Sequence, residues 1–358
     1  MTHIAETIVA VVVLLGVLVM FHELGHFTVS KLLGIKVEEF AFGFGPKWIT
    51  LFKKGDTEYT IHPYPLGGFV KLAGSEPGEE DVPDGFNSKP WWARFLVYLA
   101  GPLMSFVLAY IIFCSLGLTI GLPITNISYN QVDFIEPGSI AEKAGMKIGD
   151  IVVQINDAPI KNGNQMVDYI HDSIGKPLDI SVDRNGQIIH IHATPKATVV
   201  EGKRIGRIGF APKQKLKRVG FLRAIHYGNN TTVSFVKTFF RVVFSRQAKD
   251  AVGGPISIVQ ETSNSVSRGV NGFLQLMAIL SMSLGVINLM PIPVVDGGQL
   301  WLLVAEGIKG KALSIKTLQI AQTIGLVTIG LIFVAVFYLD FARLGVFSKL
   351  LKLFTKLA

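Results

Sequence analysis

Apolar residues along this chain gather into four long runs, at about positions 6–33, 95–122, 273–304 and 318–341. An α-helix rises 1.5 Å per residue, so each run can cross the ~30 Å hydrocarbon layer of a bilayer with some tilt. Between the first two runs, "DTEYTIHPYPLGGFVKLAG" (56–74) has strand composition broken by Pro63, Pro65, Gly67 and Gly68. That predicts a bent β-hairpin near the membrane, preceded by a glycine turn at "FGFGP" (42–46). Between the second and third runs, "VDFIEPGSIAEKAGMKIGDIVVQINDAPI" reads as strand, turn, short helix, turn, strand, and "DISVDRNGQIIHIHA" as a hairpin about Asn185-Gly186. This predicts a compact mixed domain. After it, "RVGFLRAIHYGNNTTVSFVKTFFRVVFSRQAKD" alternates apolar and basic residues at helical spacing but is too polar to span. It predicts an amphipathic helix on the membrane surface, with Lys237, Arg241 and Arg246 near headgroups.

Composition sharpens this picture. Of 358 residues only 17% are charged and 49% are hydrophobic, whereas soluble domains carry roughly 25% charged residues. The deficit and the four runs together predict a polytopic membrane protein. The net charge of +8 suits lysines facing a membrane. No basic stretch interleaved with aromatics points to nucleic acid. A single cysteine, Cys114, excludes an intramolecular disulfide. "MTHIAET" lacks the basic start of a cleaved signal peptide, so the first run is expected to be retained.

The first run carries "HELGH": His22, Glu23, Leu24, Gly25, His26. Helix residues four apart share a face, so both imidazoles can reach one metal, with Glu23 beside them to deprotonate a water. A charged residue at mid-bilayer costs roughly 2.5–3.5 kcal/mol on insertion scales, so Glu23 should face a cavity or a partner. Zinc needs a further protein ligand and an open position. His3, His62, His171 and His226 fall in loops or surface segments, and His190 and His192 alternate onto one solvated strand face. The third run offers "NLMPIPVVDGGQL" (288–300), with Asp296 among Pro291, Pro293, Gly297 and Gly298. Broken helices are tolerated in a membrane where backbone lines a cavity or packs on protein, and a carboxylate there suits a metal ligand.

HExxH in the first run and N-x-x-P-x-P-x-x-D-G-G in a late one resemble the site-2 protease family of intramembrane zinc metalloproteases, in its RseP/RasP-like bacterial branch with an extracytoplasmic PDZ domain. "FGFGP", "YPLGGFVKLAG", "AGPLMSF" and "EPGSIAEKAGMKIGDIVVQIND" extend the resemblance over nearly the whole chain, in the family's order. Ser105 stands where the family's G-P-x-x-N motif has Asn, and there is room for one PDZ-like domain, where some relatives carry two. The resemblance implies a polytopic α-helical membrane protein of about four transmembrane helices, with a membrane-associated β-hairpin and one inserted α+β PDZ-like domain. The parts would be an N-terminal membrane part at 1–122, the PDZ-like domain at 123–204, a linker with the surface helix at 205–272, and a C-terminal membrane part at 273–358. It further implies Zn²⁺ on His22, His26 and Asp296, Glu23 as general base, and Asn288 on substrate backbone or oxyanion. Tyr64, Pro65, Leu66, Gly67, Gly68 and Phe69 would bind substrate along a strand edge.

The expected partners are single-pass membrane proteins of the anti-sigma-factor or remnant-signal-peptide type, the lipid bilayer, and a peptide ligand of the PDZ-like domain, with no nucleic acid. The expected location is the bacterial inner membrane. Lys31 and Lys36 end the first run and Lys309, Lys311 and Lys316 separate the last two, which puts both clusters in the cytoplasm and the PDZ-like domain outside. The tail "SKLLKLFTK" runs against that rule. Rival readings are a membrane-anchored PDZ adaptor with a structural zinc site, which would need no Glu23, and a metal transporter, which would need ligands across several spans.

Overall fold

The computed structural model describes residues 2–75, 82–136, 138–200, 203–243, 245 and 253–343. Arg246 and the tail at 348–356 lie outside the described residues. In chain order the elements begin with α1 (Thr2–Leu32), β1 (Val37–Phe44), β2 (Ile49–Lys54), β3 (Thr57–Ile61), β4 (Tyr64–Leu72) and α2 (Trp91–Thr119). Next come β5 (Leu122–Ile135), α3 (Ile140–Lys143), β6 (Ile151–Ile155), β7 (Ala158–Pro159), α4 (Gly163–Asp172), β8 (Leu178–Arg184), β9 (Gln187–Ala193), β10 (Lys196–Val200), β11 (Lys203–Arg207) and β12 (Phe210–Lys217). The last are α5 (Phe221–Val243), α6 (Pro255–Ser267), α7 (Gly269–Asn288), α8 (Asp296–Lys309) and α9 (Ile315–Arg343). They fall into two compact units, Met1–Phe113 with Tyr227–Ala358, and Cys114–His226.

Among the described residues, four helices are long and apolar enough to cross a membrane: Ile4–Leu32, Trp91–Thr119, Gly269–Asn288 and Ile315–Ala342, of 29, 29, 20 and 28 residues. At 1.5 Å per residue they reach roughly 30–44 Å. The run at 273–304 is therefore two helices, α7 and α8, with seven residues of irregular backbone between them, 289–295. Along α1 the sequence is apolar nearly all round, and packing alone selects a face. Leu14, Leu18, His22 and Ser30 are buried, while Ile4, Ile8, Val9 and Val13 are exposed. Positions 14, 18 and 22 recur every four residues, so HELGH lies on the stripe that meets the other helices. At the far end of α9, Asp340 is buried and accepts hydrogen bonds from the N–H groups of Gly254, Ile256 and Ser257 and from the Ser257 hydroxyl. It thereby satisfies the open donors at the start of α6.

The segment after α1 departs from the expected hairpin. It is a four-stranded sheet of order β2-β3-β1-β4. β3 and β4 are consecutive but flank β1, which pairs parallel with β3 and antiparallel with β4. The hairpin is instead β2–β3, closed at Gly55-Asp56. Sequence proximity favours pairing β3 with β4, but here their short connection crosses over the end of β1. It passes at Gly43, where a Cβ would lie 2.6 Å from the His62 carbonyl oxygen and 3.0 Å from that of Tyr64. Gly43 also has φ 91°, a conformation that glycine adopts without strain. Gly43 of "FGFGP" is thus a crossing point, and β4 becomes an outer strand beside β1.

In the second unit a six-stranded sheet runs β12-β5-β6-β8-β9, with β7 beside β6. Its core holds Val132, Val152, Ile155, Met166, Leu178, Ile180, Val182 and Ile191. Local side chains punctuate these elements, and the Asn185-Gly186 turn stands where it was expected. Asn162 caps α4 by accepting from the Gln165 N–H, and Gln165 returns a bond to the Lys161 N–H. Asn185 and Gly186 take φ of 55° and 84°, as a two-residue turn between β8 and β9 requires. One boundary differs. β12 falls within the expected linker at 205–272, yet it pairs along β5. Its charged run Lys213, Lys215, Lys217 hides a strand that is held by backbone bonds on one edge.

Buried Asp150 receives Arg184 through two bonds, Nε–Oδ1 at 2.7 Å and Nη2–Oδ2 at 2.8 Å, and accepts from the Lys147 N–H. Burial works to raise the Asp150 pKa, but the Arg184 and Lys147 bonds outweigh it and hold the carboxyl below its ordinary value. A depressed folded-state pKa contributes stability above the unfolded value, lost as pH falls through the folded one. Asp150→Ala is expected to destabilise this unit by about 1.5–3 kcal/mol. Faster hydrogen exchange in β6 and β8 of the full chain would report it, and the acid-side loss of protection seen in the wild type would be smaller in the variant.

Candidate metal centre

The face of α1 that carries His22 and His26 packs on α2 with almost no space between backbones. A Cβ on Gly25 would lie 2.3 Å from the Ala100 carbonyl oxygen. Small residues let membrane helices approach in this way. The approach gives each histidine a partner from α2. His26 Nδ1 lies 2.8 Å from the Val97 carbonyl oxygen. A carbonyl only accepts, so Nδ1–H donates and the Nε2 lone pair is left free. His22 Nδ1 lies 3.1 Å from Ser105 Oγ, whose own hydroxyl is directed at the Gly101 carbonyl. The Ser105 hydroxyl therefore accepts from His22, which likewise frees Nε2. Ser105, standing where the family has Asn, does the work of orienting a ring.

Asp296 reaches the same point from the other half of the chain. After Asn288 ends α7, Pro291 and Pro293 prevent helix, and the chain doubles back tightly before α8. The two glycines that follow Asp296 permit that reversal. A Cβ on Gly297 would lie 2.3 Å from the Met290 carbonyl oxygen, and one on Gly298 would lie 2.2 Å from that of Ile292. Asp296 becomes the first residue of α8, and its Oδ2 lies 3.0 Å from His22 Nε2 and 3.4 Å from His26 Nε2. The two Nε2 atoms are 3.3 Å apart.

These distances test whether a metal fits. A tetrahedral zinc with ligand bonds of ~2.0–2.1 Å has ligand–ligand edges of roughly 3.3–3.4 Å, and the three edges here are 3.0, 3.4 and 3.3 Å. Asp296 Oδ2 is buried and accepts no well-aligned hydrogen bond, as expected when donor lone pairs converge on a common point rather than on each other. Among the described residues, His22, His26 and Asp296 form the one such cluster. Gly101 leaves room beside it: a Cβ there would come within 2.3 Å of His26 Nε2 and 2.8 Å of His22 Nε2. The donor set, its buried orphan oxygen and this cradle fit zinc.

Around the cluster lies a cavity of about 490 Å³. Glu23, Asn288, Tyr98 and, from the sheet, Phe44, Gly68, Phe69, Val70 and Leu72 line it together with the three ligands. Asn288 Nδ2 is 3.4 Å from His22 Nε2. Of the six residues expected on substrate, Gly68 and Phe69 face the cavity, while Tyr64, Pro65, Leu66 and Gly67 lie further along β4. Gly101 and Val97 support the ligands without any signal in the sequence, and Ser105, marked there as a departure from the family's Asn, orients His22. Small residues in an apolar helix carry no signal until a second helix is laid on them. His62, expected in a loop or surface segment, is 5% exposed and hydrogen-bonded to the turn at Gly45.

The sequence profile of Peptidase family M50 matches residues 10–332. The chain belongs to peptidase family M50. It is similar to the regulator of sigma-W protease RasP of Bacillus subtilis, with 32% identity over 95% of this chain and 99% of that protein. It is similar also to the zinc metalloprotease RasP of Bacillus licheniformis, with 30% identity over 95% and 99%. Among solved structures, a PDZ domain of an SdrC-like protein from Listeria monocytogenes matches 25% of this chain and 93% of its own, at 18% identity and TM-score 0.21. Membership of M50 makes this chain a zinc metalloendopeptidase of intramembrane proteolysis and a multi-pass membrane protein.

Gly101→Ala is expected to displace one or both histidine rings and to lose zinc, as read by metal content of the purified protein. Ser105→Ala is expected to weaken zinc affinity about 10–100-fold, in line with the loss of a group that orients a ligand, while Ser105→Asn retains it.

Proposed function

We propose that His22, His26 and Asp296 hold the zinc and that Glu23 is the general base of peptide hydrolysis inside the membrane. The observation that carries this is the convergence of the three ligand atoms at 3.0–3.4 Å with Glu23 in the same cavity. Zinc supplies a Lewis acid there, which lowers the pKa of water and polarises a carbonyl. Glu23 takes the proton of the attacking water and passes it to the leaving amine. Asn288, with its amide beside His22, donates to the oxyanion as it forms. Apolar side chains such as Val19, Val97 and Leu284 line the cavity, and a low-dielectric surround strengthens each of these interactions.

A peptide bond inside a transmembrane helix is shielded by its own hydrogen bonds and has to be unwound first. β4 is one of the two outer strands of its sheet, and its residues 68–70 border the cavity. An unwound substrate segment adds to this edge as a further strand, with its backbone held by β4 and its scissile bond at the zinc. The exposed Ile49, Leu51 and Phe52 of β2 suit a sheet that rests against lipid.

The substrates are single-pass membrane proteins, of the anti-sigma-factor or remnant-signal-peptide type. The enzyme sits in the bacterial inner membrane, and its second unit is a PDZ-like domain outside the cytoplasm. That unit has an outer strand, β12, and a small groove between α4 and the 206–210 segment, lined by Val167, Ile170, Ile208 and Phe210. A peptide end would add there.

Glu23→Gln is expected to keep its zinc and to lose cleavage of a model transmembrane substrate by at least about 10²-fold. Asp296→Ala is expected to lose both zinc and cleavage. Wild-type cleavage by Glu23→Gln would overturn the assignment of the base.

A further inference from the structure

His62 plays no part in the metal centre, yet it is buried and bonded on every side. Its Nδ1 lies 2.8 Å from the Gly45 carbonyl oxygen, an acceptor, so the ring N–H donates to the turn. Its Nε2 lies 3.2 Å from both Thr60 Oγ1 and Glu39 Oε1, and Thr60 itself donates to Glu39 at 2.7 Å. Its main-chain N–H donates to the Phe42 carbonyl at 2.8 Å. The ring meets Phe69 edge-on, with centroids 5.2 Å apart. One residue thus joins β1, the glycine turn at 42–46 and β4.

The turn needs such a tether. Gly43 and Gly45 have φ of 91° and 104°, and glycines restrict the backbone least, so contacts rather than local preference must hold the turn in place. Between them stands Phe44, whose ring covers Gly67 so closely that a Cβ there would lie 2.4 Å from it. Phe44 also lines the cavity with Glu23 and Phe69.

We propose that His62 is a positioning residue for substrate: through its bond to Gly45 it fixes the glycine turn, and so sets where Phe44 stands between the catalytic cavity and the β4 edge. This rests on the reading of β4 as the substrate strand. The ring touches neither zinc ligand nor base, so its effect falls on substrate placement rather than on the chemistry.

Two substitutions separate the ring's two bonds. In His62→Asn a short amide can still donate near the Nδ1 position, whereas His62→Gln reaches towards Glu39 and leaves Gly45 without its donor. In the full-length protein, His62→Gln is expected to exchange amide hydrogens faster over 40–48, with α1 and α2 unaffected and zinc retained. Its KM for a transmembrane substrate should rise about fivefold, as for loss of one hydrogen bond, with kcat within about twofold. His62→Asn should track the wild type in both. Unchanged exchange over 40–48 in His62→Gln, an unchanged KM despite faster exchange, or equal effects of the two variants would each overturn the proposal. So would loss of protection spreading to α1 and α2, which would mark a merely structural histidine. The exchange measurement does not depend on substrate: unchanged exchange over 40–48 marks failure of the tether, whereas faster exchange with unchanged KM marks failure of β4 as the substrate strand.

Discussion

The close crossing of α1 and α2 at Gly25 and Gly101 is the contact on which the metal centre depends. Without side chains at these two positions the helix backbones come near enough for Val97 and Ser105 to bond the outer nitrogens of His26 and His22. Those bonds settle which ring nitrogen is free, and the missing Cβ of Gly101 leaves space beside the free ones. α7 joins the same pair, since Ser281 donates to the Ser105 carbonyl at 2.7 Å and Gly285 allows contact with Pro102 and Phe106. In lipid there is little hydrophobic gain from joining helices, so close packing and interhelical hydrogen bonds must carry association. Here those same contacts aim the ligands.

Bringing Asp296 to the site requires irregular backbone at membrane depth, where unpaired N–H and C=O groups are costly. The sequence limits that cost. Pro291 and Pro293 remove two donors, the N–H groups of Ile292 and Val295 find nearby carbonyls, and Gln299 donates to the Pro293 carbonyl at 2.7 Å. Gly297 and Gly298 then let α8 start directly against the reversed chain. An acidic residue in the first turn of α8 also complements the positive end of the helix dipole. The motif "NLMPIPVVDGG" is thus a way to place a carboxylate and satisfy its backbone at once.

The sheet beside the cavity follows a similar economy. A plain hairpin would present β3 and β4 as neighbours, whereas here β1 lies between them. Threading β1 between them puts β4 on the outside, on the side of the cavity, and places the glycine turn and Phe44 against that cavity. An open strand edge is a hazard in most proteins because it pairs with other chains. In an enzyme that must hold an extended peptide, such pairing is the recognition event.

The four apolar runs, the HELGH pair and its spacing, the broken helix about Asp296, and the Asn185-Gly186 turn could all be read from the chain, because each depends on residues within a turn or two of one another. Helical periodicity puts His22 and His26 on one face whatever lies opposite. Three further features could not be read there. The strand order β2-β3-β1-β4 depends on a crossing at Gly43 that sequence proximity argues against. The membership of β12 in the second sheet depends on β5, some eighty residues earlier, beneath a polar, lysine-rich surface. The roles of Gly101, Ser105 and His62 depend on which element each one meets. A glycine or serine in an apolar helix looks the same whether it faces lipid or a ligand nitrogen. Local sequence determined the chemistry this chain can offer. Only tertiary contact decided which nitrogens are free and which strand is open, because both are set by partners distant along the chain.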